Sequence, residues 1–448
     1  MSAHEPATRR IVPAANRTLP ALLGLTCALL PCAGNPKPVL DYTVGIGWLH
    51  DDNVTQSETD ARSDNILAPR LAFSLDQQGA SLSALAAGTI EYRKYLSGTF
   101  NSQFAAVVSG SAAWHISPDR LDWVVEDYVG RQPINVLANN DPDNQQQTNV
   151  FSTGPTLRAH FSDALRGQLD LRYTRNYAEV SKDFNGDRIS GAGRLLYLLG
   201  QGDLVTGNLR FERARFDLDP DTSDYDRTDL YAGYSHDGSS IDLVGNLGYS
   251  RIDFTRGSGV HDGVLANATL TWNPSATDAL SIHVADSLVD AASELAIDPS
   301  RIGQPGELGI GSGLNGVVIS PDVYRARELR LGYGRSTARY RLSVAPFLRK
   351  LSYLDDTESD QRSRGLYADF AWSFTPLTTL TVYCGGENRT YLSLDRNDDD
   401  RSYGARLSWR STRHWEWIAS YARLRRDSDT PGQSYTDNIL GLALAWHR

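Results

Sequence analysis

Long apolar runs are missing from this chain. Past the first forty residues no stretch approaches the roughly 20 consecutive apolar residues that cross a bilayer as a helix, and apolar residues make up 40% of the whole. A bundle of membrane helices is excluded. A basic excess is missing too: the formal net charge of −10 leaves no general attraction for phosphate backbones and argues against nucleic acid as a partner. Cysteine is scarce. Of three, Cys27 and Cys32 lie in the N-terminal segment, so Cys384 alone remains, without a disulfide partner or a thiolate metal cluster. No long Pro-, Ser- or charge-rich linker divides the 448 residues after the first forty, which favours one large architecture.

Catalytic motifs are equally absent. There is no His-Glu-x-x-His, no Gly-x-x-x-x-Gly-Lys and no Gly-x-Ser-x-Gly. Gly309, Gly311, Gly313 and Gly316 have dinucleotide-like spacing but sit in a long loop without a βαβ unit, so they read as a flexible loop. Asp217, Asp219 and Asp221 start like a calcium loop, yet Thr222 stands where Gly is needed and Thr228 where a bidentate Glu is needed. His115, His160 and His283 fall on polar faces and read as hydrogen-bonding wall residues. The expectation is no enzyme, no metal and no cofactor.

What is present is a period of two. Leu165, Gly167, Leu169, Leu171 and Tyr173 form one face against Arg166, Gln168, Asp170, Arg172 and Thr174. The same alternation runs from Phe151 to Phe161 and from Ile241 to Ser250. Strands with one apolar and one polar face explain it, and a barrel in which every second residue faces lipid keeps mean hydropathy low. Arg9, Arg10 and Arg17, the apolar run Leu19 to Leu30 and small residues at Ala33 and Gly34 read as a secretory signal peptide over residues 1–34, leaving 35–448 as one barrel domain.

Connections alternate in length. Short turns fall at residues 117–120, 162–164, 200–203, 236–239, 273–278, 336–337, 375–377 and 411–414. Longer, Asp-rich loops are expected at 51–64, 133–148, 178–187, 217–226, 255–262, 289–322, 354–362, 388–401 and 427–435. Short turns on one rim and long loops on the other are the periplasmic and extracellular ends of an outer-membrane barrel. The fold expected is a transmembrane antiparallel up-and-down β-barrel of about 20 strands, range 16–22, each about ten residues long. Trp114, Trp123, Trp272, Phe374, Trp409, Trp415 and Trp446 stand near short turns on the apolar face, as a periplasmic aromatic girdle would. The last segment, with Leu440, Leu442, Leu444 and Trp446 on one face, is similar to the signal read by barrel-assembly machinery, although it ends in His447-Arg448.

Tyr42-Thr43-Val44-Gly45-Ile46-Gly47 leading to His50-Asp51-Asp52-Asn53-Val54 resembles the opening strand of the outer-membrane β-barrel porin family, type two, often associated with exopolysaccharide gene clusters. So do Leu121-Asp122-Trp123 with Asp127, Gly130 and Arg131-Gln132-Pro133, and Asn149 to Pro155 with Arg172-Tyr173. These motifs mark strands and turns. The resemblance implies a porin fold and, more distantly, passage or export of polysaccharide, with polysaccharide or an export apparatus as partner.

Pairing outward apolar with inward polar assigns Arg158, Arg166, Asp170, Arg172, Arg210, Glu212, Asp229, Asp242, Arg330, Arg341, Arg349, Asp369, Glu387, Arg406, Arg410 and Glu416 to a lumen. A barrel of about 20 strands is about 40 Å across, too wide for side chains to fill, so loops must narrow it or water must. Residues 289–322, the longest loop, are the expected constriction. Two readings follow: a passive outer-membrane pore of a Gram-negative bacterium, and a closed structural or adhesive barrel acting through its acidic loops. Outer-membrane lipid and lipopolysaccharide are the partners expected of either. Energy-coupled transport is disfavoured, since no plug domain precedes the first strand.

Overall fold

The computed structural model describes residues 38–218, 224–255, 259–295, 317–355 and 357–448; the expected signal peptide lies outside the described residues. Twenty strands follow in order: β1 Val39–Asp51, β2 Asp64–Gln78, β3 Leu82–Tyr95, β4 Gln103–Ser117, β5 Leu121–Pro133, β6 Gln145–His160, β7 Leu165–Ala178, β8 Gly186–Leu198, β9 Asp203–Phe216 and β10 Tyr225–Asp237. The second half continues with β11 Ile241–Phe254, β12 Val260–Trp272, β13 Asp278–Asp290, β14 Val323–Ser336, β15 Tyr340–Tyr353, β16 Gln361–Thr375, β17 Thr378–Tyr391, β18 Arg396–Arg410, β19 Trp415–Ser428 and β20 Tyr435–His447. Each pairs antiparallel with its chain neighbours, and β1 pairs with β20 from Thr43 opposite His447 to Asp51 opposite Ile439. The sheet is therefore a closed ring without an edge, and each strand finds hydrogen-bonding neighbours on both sides.

Alternation fixes which side chains point out. Leu169, Leu171 and Tyr173 of β7, Leu247 and Tyr249 of β11, and Leu440 and Leu442 of β20 are exposed on the outer face. This inverts a soluble protein, whose apolar residues are the ones hidden. At the short-turn rim the aromatic residues meet across strands: Trp114 faces Trp123, Trp409 faces Trp417 and Trp415 faces Trp446. Trp372 joins them through Phe374, with ring centroids 4.3 Å apart. A second, less regular set of exposed aromatics, including Trp48, Tyr92, Phe104 and Tyr177, lies toward the long-loop rim.

Strand lengths of 13 and 16 residues at β1 and β6 exceed the ten expected. The surplus lies at the long-loop end. The expected loop 388–401 is in fact the four residues 392–395, because β17 runs to Tyr391 and β18 starts at Arg396. Charge made that stretch look like loop. Pairing hides the charge: Arg396 bonds Asp398 at 2.7 Å, Arg389 bonds Glu387 at 2.9 Å and Arg401 bonds Asp399 at 2.7 Å, so the ladder continues past the apolar belt. A turn at residues 79–81 and a loop at 96–102 also exist that the pattern did not reveal.

Strands β6 and β7 approach closely at one glycine. Their pairing is interrupted between Thr153 opposite Tyr173 and Thr156 opposite Asp170, at Gly154 and Pro155, and resumes in the same register. A Cβ on Gly154 would run into the carbonyl oxygen of Leu171. Gly207 has nothing within 4 Å of the same position. Gly154→Ala should therefore cost about 1–3 kcal/mol and lower the temperature at which the barrel unfolds in heat-modifiability gels, while Gly207→Ala leaves it unchanged; equal behaviour of the two would contradict the close approach.

Candidate functional site

The site is the barrel interior and the loops that enter it. Fourteen of the sixteen residues assigned to the lumen sit at register positions opposite in parity to every exposed apolar residue of their strands, while Asp242 and Asp369 share parity with the exposed Val244 and Tyr367. Arg158 and His115 both bond Asp122, the histidine at 2.8 Å. Arg172 lies 3.6 Å from Asp170, and Arg210 bonds Glu212. Asp229 takes Arg227 at 2.8 Å, Arg330 takes Glu328 at 2.8 Å, Glu387 takes Arg389, and Glu416 takes His447 at 2.7 Å. His283 bonds Thr269 at 2.9 Å. Much of the wall charge is thus neutralised along or between strands, which stiffens the sheet.

Arg166, Arg341, Arg406 and Arg410 have no ion pair within 4.0 Å among the described residues, and neither has Asp242 or Asp369. Arg341 and Asp369 still attract one another electrostatically. Arg166, Asp242, Arg341 and Arg410 lie near the short-turn rim, so that rim carries charges of both signs outside any ion pair.

At the long-loop end the interior is crossed by chain. β12 and β13 pair only up to Ala266 opposite Asp286, whereas β13 and β14 stay paired to Asp290 opposite Val323. Freed from β12, Leu288 and Asp290 turn inward although their parity is outward. Leu288 packs over Gly263 and joins Tyr225, Ile252 and Phe254. Asp290 bonds Arg188 of β8 and accepts from the Tyr225 hydroxyl at 2.5 Å. It also accepts from the backbone N–H of Ser293 at 2.9 Å, starting a one-turn helix, Ala291–Leu295. Glu294 of that turn bonds Arg349 at 2.5 Å. Ala291, Leu295, Val317 and Ile319 are buried with Val150, Ala178, Tyr324 and Leu351, whose side chains point inward. The described parts of the longest connection therefore lie inside the barrel; residues 296–316 are outside the described residues.

A second segment crosses the mouth, and sequence reasoning missed it. Residues 134–144 leave β5 and reach strands on the far side of the seam. Arg396 of β18 donates to the Leu137 carbonyl at 2.7 Å, Arg426 of β19 to the Ala138 carbonyl at 3.3 Å, and the Tyr391 hydroxyl to the Val136 carbonyl at 3.3 Å. Asn139 donates to the Gln56 carbonyl at 2.6 Å. Arg396 and Arg426 are inward, buried guanidiniums held by Asp398 and Asp400. Their remaining N–H groups find carbonyls only on this loop. Two buried arginines next to a strand end were the available signal.

Asp51, Asp52 and Asp437 bring carboxylate oxygens within 4.8 Å of one another at the β1–β20 seam. It is an acidic cluster and by itself assigns no ligand.

No family model matches this chain, and no curated protein matches it. Among solved structures it is similar to the FrpB iron transporter (F5-1 variant) of Neisseria meningitidis, at 9% identity and TM-score 0.47, covering 93% of this chain and 83% of that one. It is similar also to the siderophore receptor PirA of Pseudomonas aeruginosa, at 10% identity and TM-score 0.46 over 92% and 80% of the two chains. OccK2 (OpdF) of the same organism gives 10% identity and TM-score 0.39 over 92% and 98%. Likenesses this distant carry no functional argument.

Charge-assisted hydrogen bonds are worth about 1.5–3 kcal/mol each. The double variant Arg396→Ala and Arg426→Ala should speed amide hydrogen exchange of residues 134–144 at least about tenfold, with β11 and β12 unaffected; unchanged exchange would mean the arginines do not hold the loop.

Proposed function

We propose that this chain is a channel of a Gram-negative outer membrane, passing polar solute by diffusion through a lumen narrowed at its extracellular mouth. The observation that carries the reading is the closed ring with apolar side chains outside and hydroxyls, amides and paired charges inside. In hydrocarbon a strand must bond neighbours on both sides, and a ring of about 20 strands leaves room for water. Aromatic residues at both ends of the outer belt suit the two headgroup levels. Free arginines and carboxylates near the short-turn rim can hydrogen-bond hydroxyl and acidic groups of a passing chain. A bias toward polysaccharide rests on the resemblance of Tyr42–Gly47, Leu121–Pro133 and Asn149–Pro155 to the type-two porin family. The same reading makes the chain a conduit and not an enzyme, and makes barrel-assembly machinery and lipopolysaccharide its partners.

The closed-barrel alternative is favoured by one observation: residues 134–144 and 291–295 enter the mouth from different sides. Planar-bilayer recordings separate the two. The channel reading expects steady conductance steps that grow at least about twofold when residues 135–143 are replaced by a short Gly-Ser linker; silence from both forms supports the closed barrel. Membrane placement has its own check. Leu247, 66% exposed on the outer face, should cost about 2–4 kcal/mol when changed to Arg in a lipid bilayer, whereas the inward neighbour Asn246→Arg should cost little. Equal costs in folding titrations would remove the lipid-facing assignment.

A further inference from the structure

One outward surface gathers cations in directly opposed positions. On the outside near the loop rim several cations have partners: Arg213 bonds Asp226 at 2.9 Å, Arg325 bonds Asp286 at 2.6 Å and Arg425 bonds Asp427 at 2.8 Å. On β14–β16, by contrast, Arg327 stands directly opposite Lys350, and Lys350 directly opposite Arg362. Like charges in directly opposed positions destabilise a sheet. Arg364 stands two residues further along β16 on the same face. Lys350, Arg362 and Arg364 have no ion pair among the described residues; Arg327 shares Asp286 with Arg325, at 3.3 Å. Asp399, the carboxylate in the next-but-one strand, is taken by Arg401 at 2.7 Å.

Immediately toward the apolar belt from this row lies a trough of about 830 Å³. Its walls are Leu348 and Leu366 on one side and Tyr403 on the other, and Arg364 and the Arg401–Asp399 pair close its loop end. The trough exists because β17 presents Gly386 and Cys384 outward, between the larger residues of β16 and β18. A Cβ on Gly386 would have its nearest neighbour at 3.9 Å, so nothing within the barrel wall occupies that space.

An apolar trough open to hydrocarbon, with the unpaired Arg364 at its loop end and Lys350 and Arg362 beyond it, has the complementarity of one ligand class. From this we infer a specific binding site for a phosphorylated glycolipid of the outer leaflet, its acyl chain in the trough and its phosphates on Lys350, Arg362 and Arg364. Strands lie about 4.8 Å apart, so the row from β14 to β16 spans roughly 10 Å, wide enough to engage a headgroup bearing more than one phosphate. Guanidiniums suit phosphate because they donate two parallel N–H groups. The bound anion removes the like-charge repulsion of the empty row, and the lipid would bridge β15 to β18 on the outside. This inference rests on the outer-membrane reading, which insertion and heat-modifiability measure separately.

The test uses the full chain refolded in non-ionic detergent free of lipopolysaccharide, with native mass spectrometry against diphosphoryl lipid A, phosphatidylethanolamine and inorganic phosphate. The expected result is one diphosphoryl lipid A retained per barrel, with phosphatidylethanolamine lost and millimolar inorganic phosphate a poor competitor. The combined Lys350→Gln, Arg362→Gln and Arg364→Gln variant should lower retention at least about tenfold, the equivalent of 1.4 kcal/mol. Gly386→Leu, which fills the trough and keeps every charge, should lower it likewise. Wild-type retention by either variant, or full displacement by inorganic phosphate, overturns the site. Should the triple variant fail to refold, Gly386→Leu decides alone; a barrel that refolds and inserts but retains no lipid A sinks the lipid site and leaves the channel reading standing.

Discussion

Backbone hydrogen bonding around a closed circumference is the constraint on which everything else in this molecule depends. A sheet with apolar side chains outside can exist in hydrocarbon only if its amides are satisfied within the sheet. The β1–β20 seam performs that closure, and it is reinforced beyond the last ladder pair: the Asn438 backbone N–H and side-chain amide both donate to Asp52, at 2.7 and 2.8 Å. Closure then fixes parity. Each side chain is committed to lipid or to lumen by its place in the strand, which is why one register shift would be so costly.

Inside, the wall is polar, and many of its charges come as pairs. That pattern has two consequences. Pairing permits long strands beyond the apolar belt, as at β17 and β18, where a charged sequence continues the ladder. It also leaves a few donors to spare at Arg396, Arg426 and Arg188, and those donors capture chain that would otherwise project outward. The mouth is narrowed by the same guanidiniums that stabilise the wall.

Much of the architecture was legible from alternation alone: the strand number, the closed antiparallel ring and the two rims. Where it misled, local composition stood in for geometry. Residues 388–401 read as loop because charge usually means solvent, and only the cross-strand partners reveal that it is paired. Leu288 and Asp290 have outward parity but face inward, because β13 leaves β12 after Asp286. No periodicity encodes that departure; it takes Gly263 on the adjacent strand to make room and Arg188, five strands away, to receive the carboxylate.

The sequence by itself determined the class of fold, since a period of two sustained over twenty segments has one stable solution when one face is greasy and no edge can be left open. It also determined the alternation along each strand. Only the tertiary structure decided what stands in the mouth, which charges are free, and where a trough opens beneath an unpaired row of cations. Those properties depend on contacts between strands far apart in the chain, and one strand's alternation carries no information about its neighbour's register.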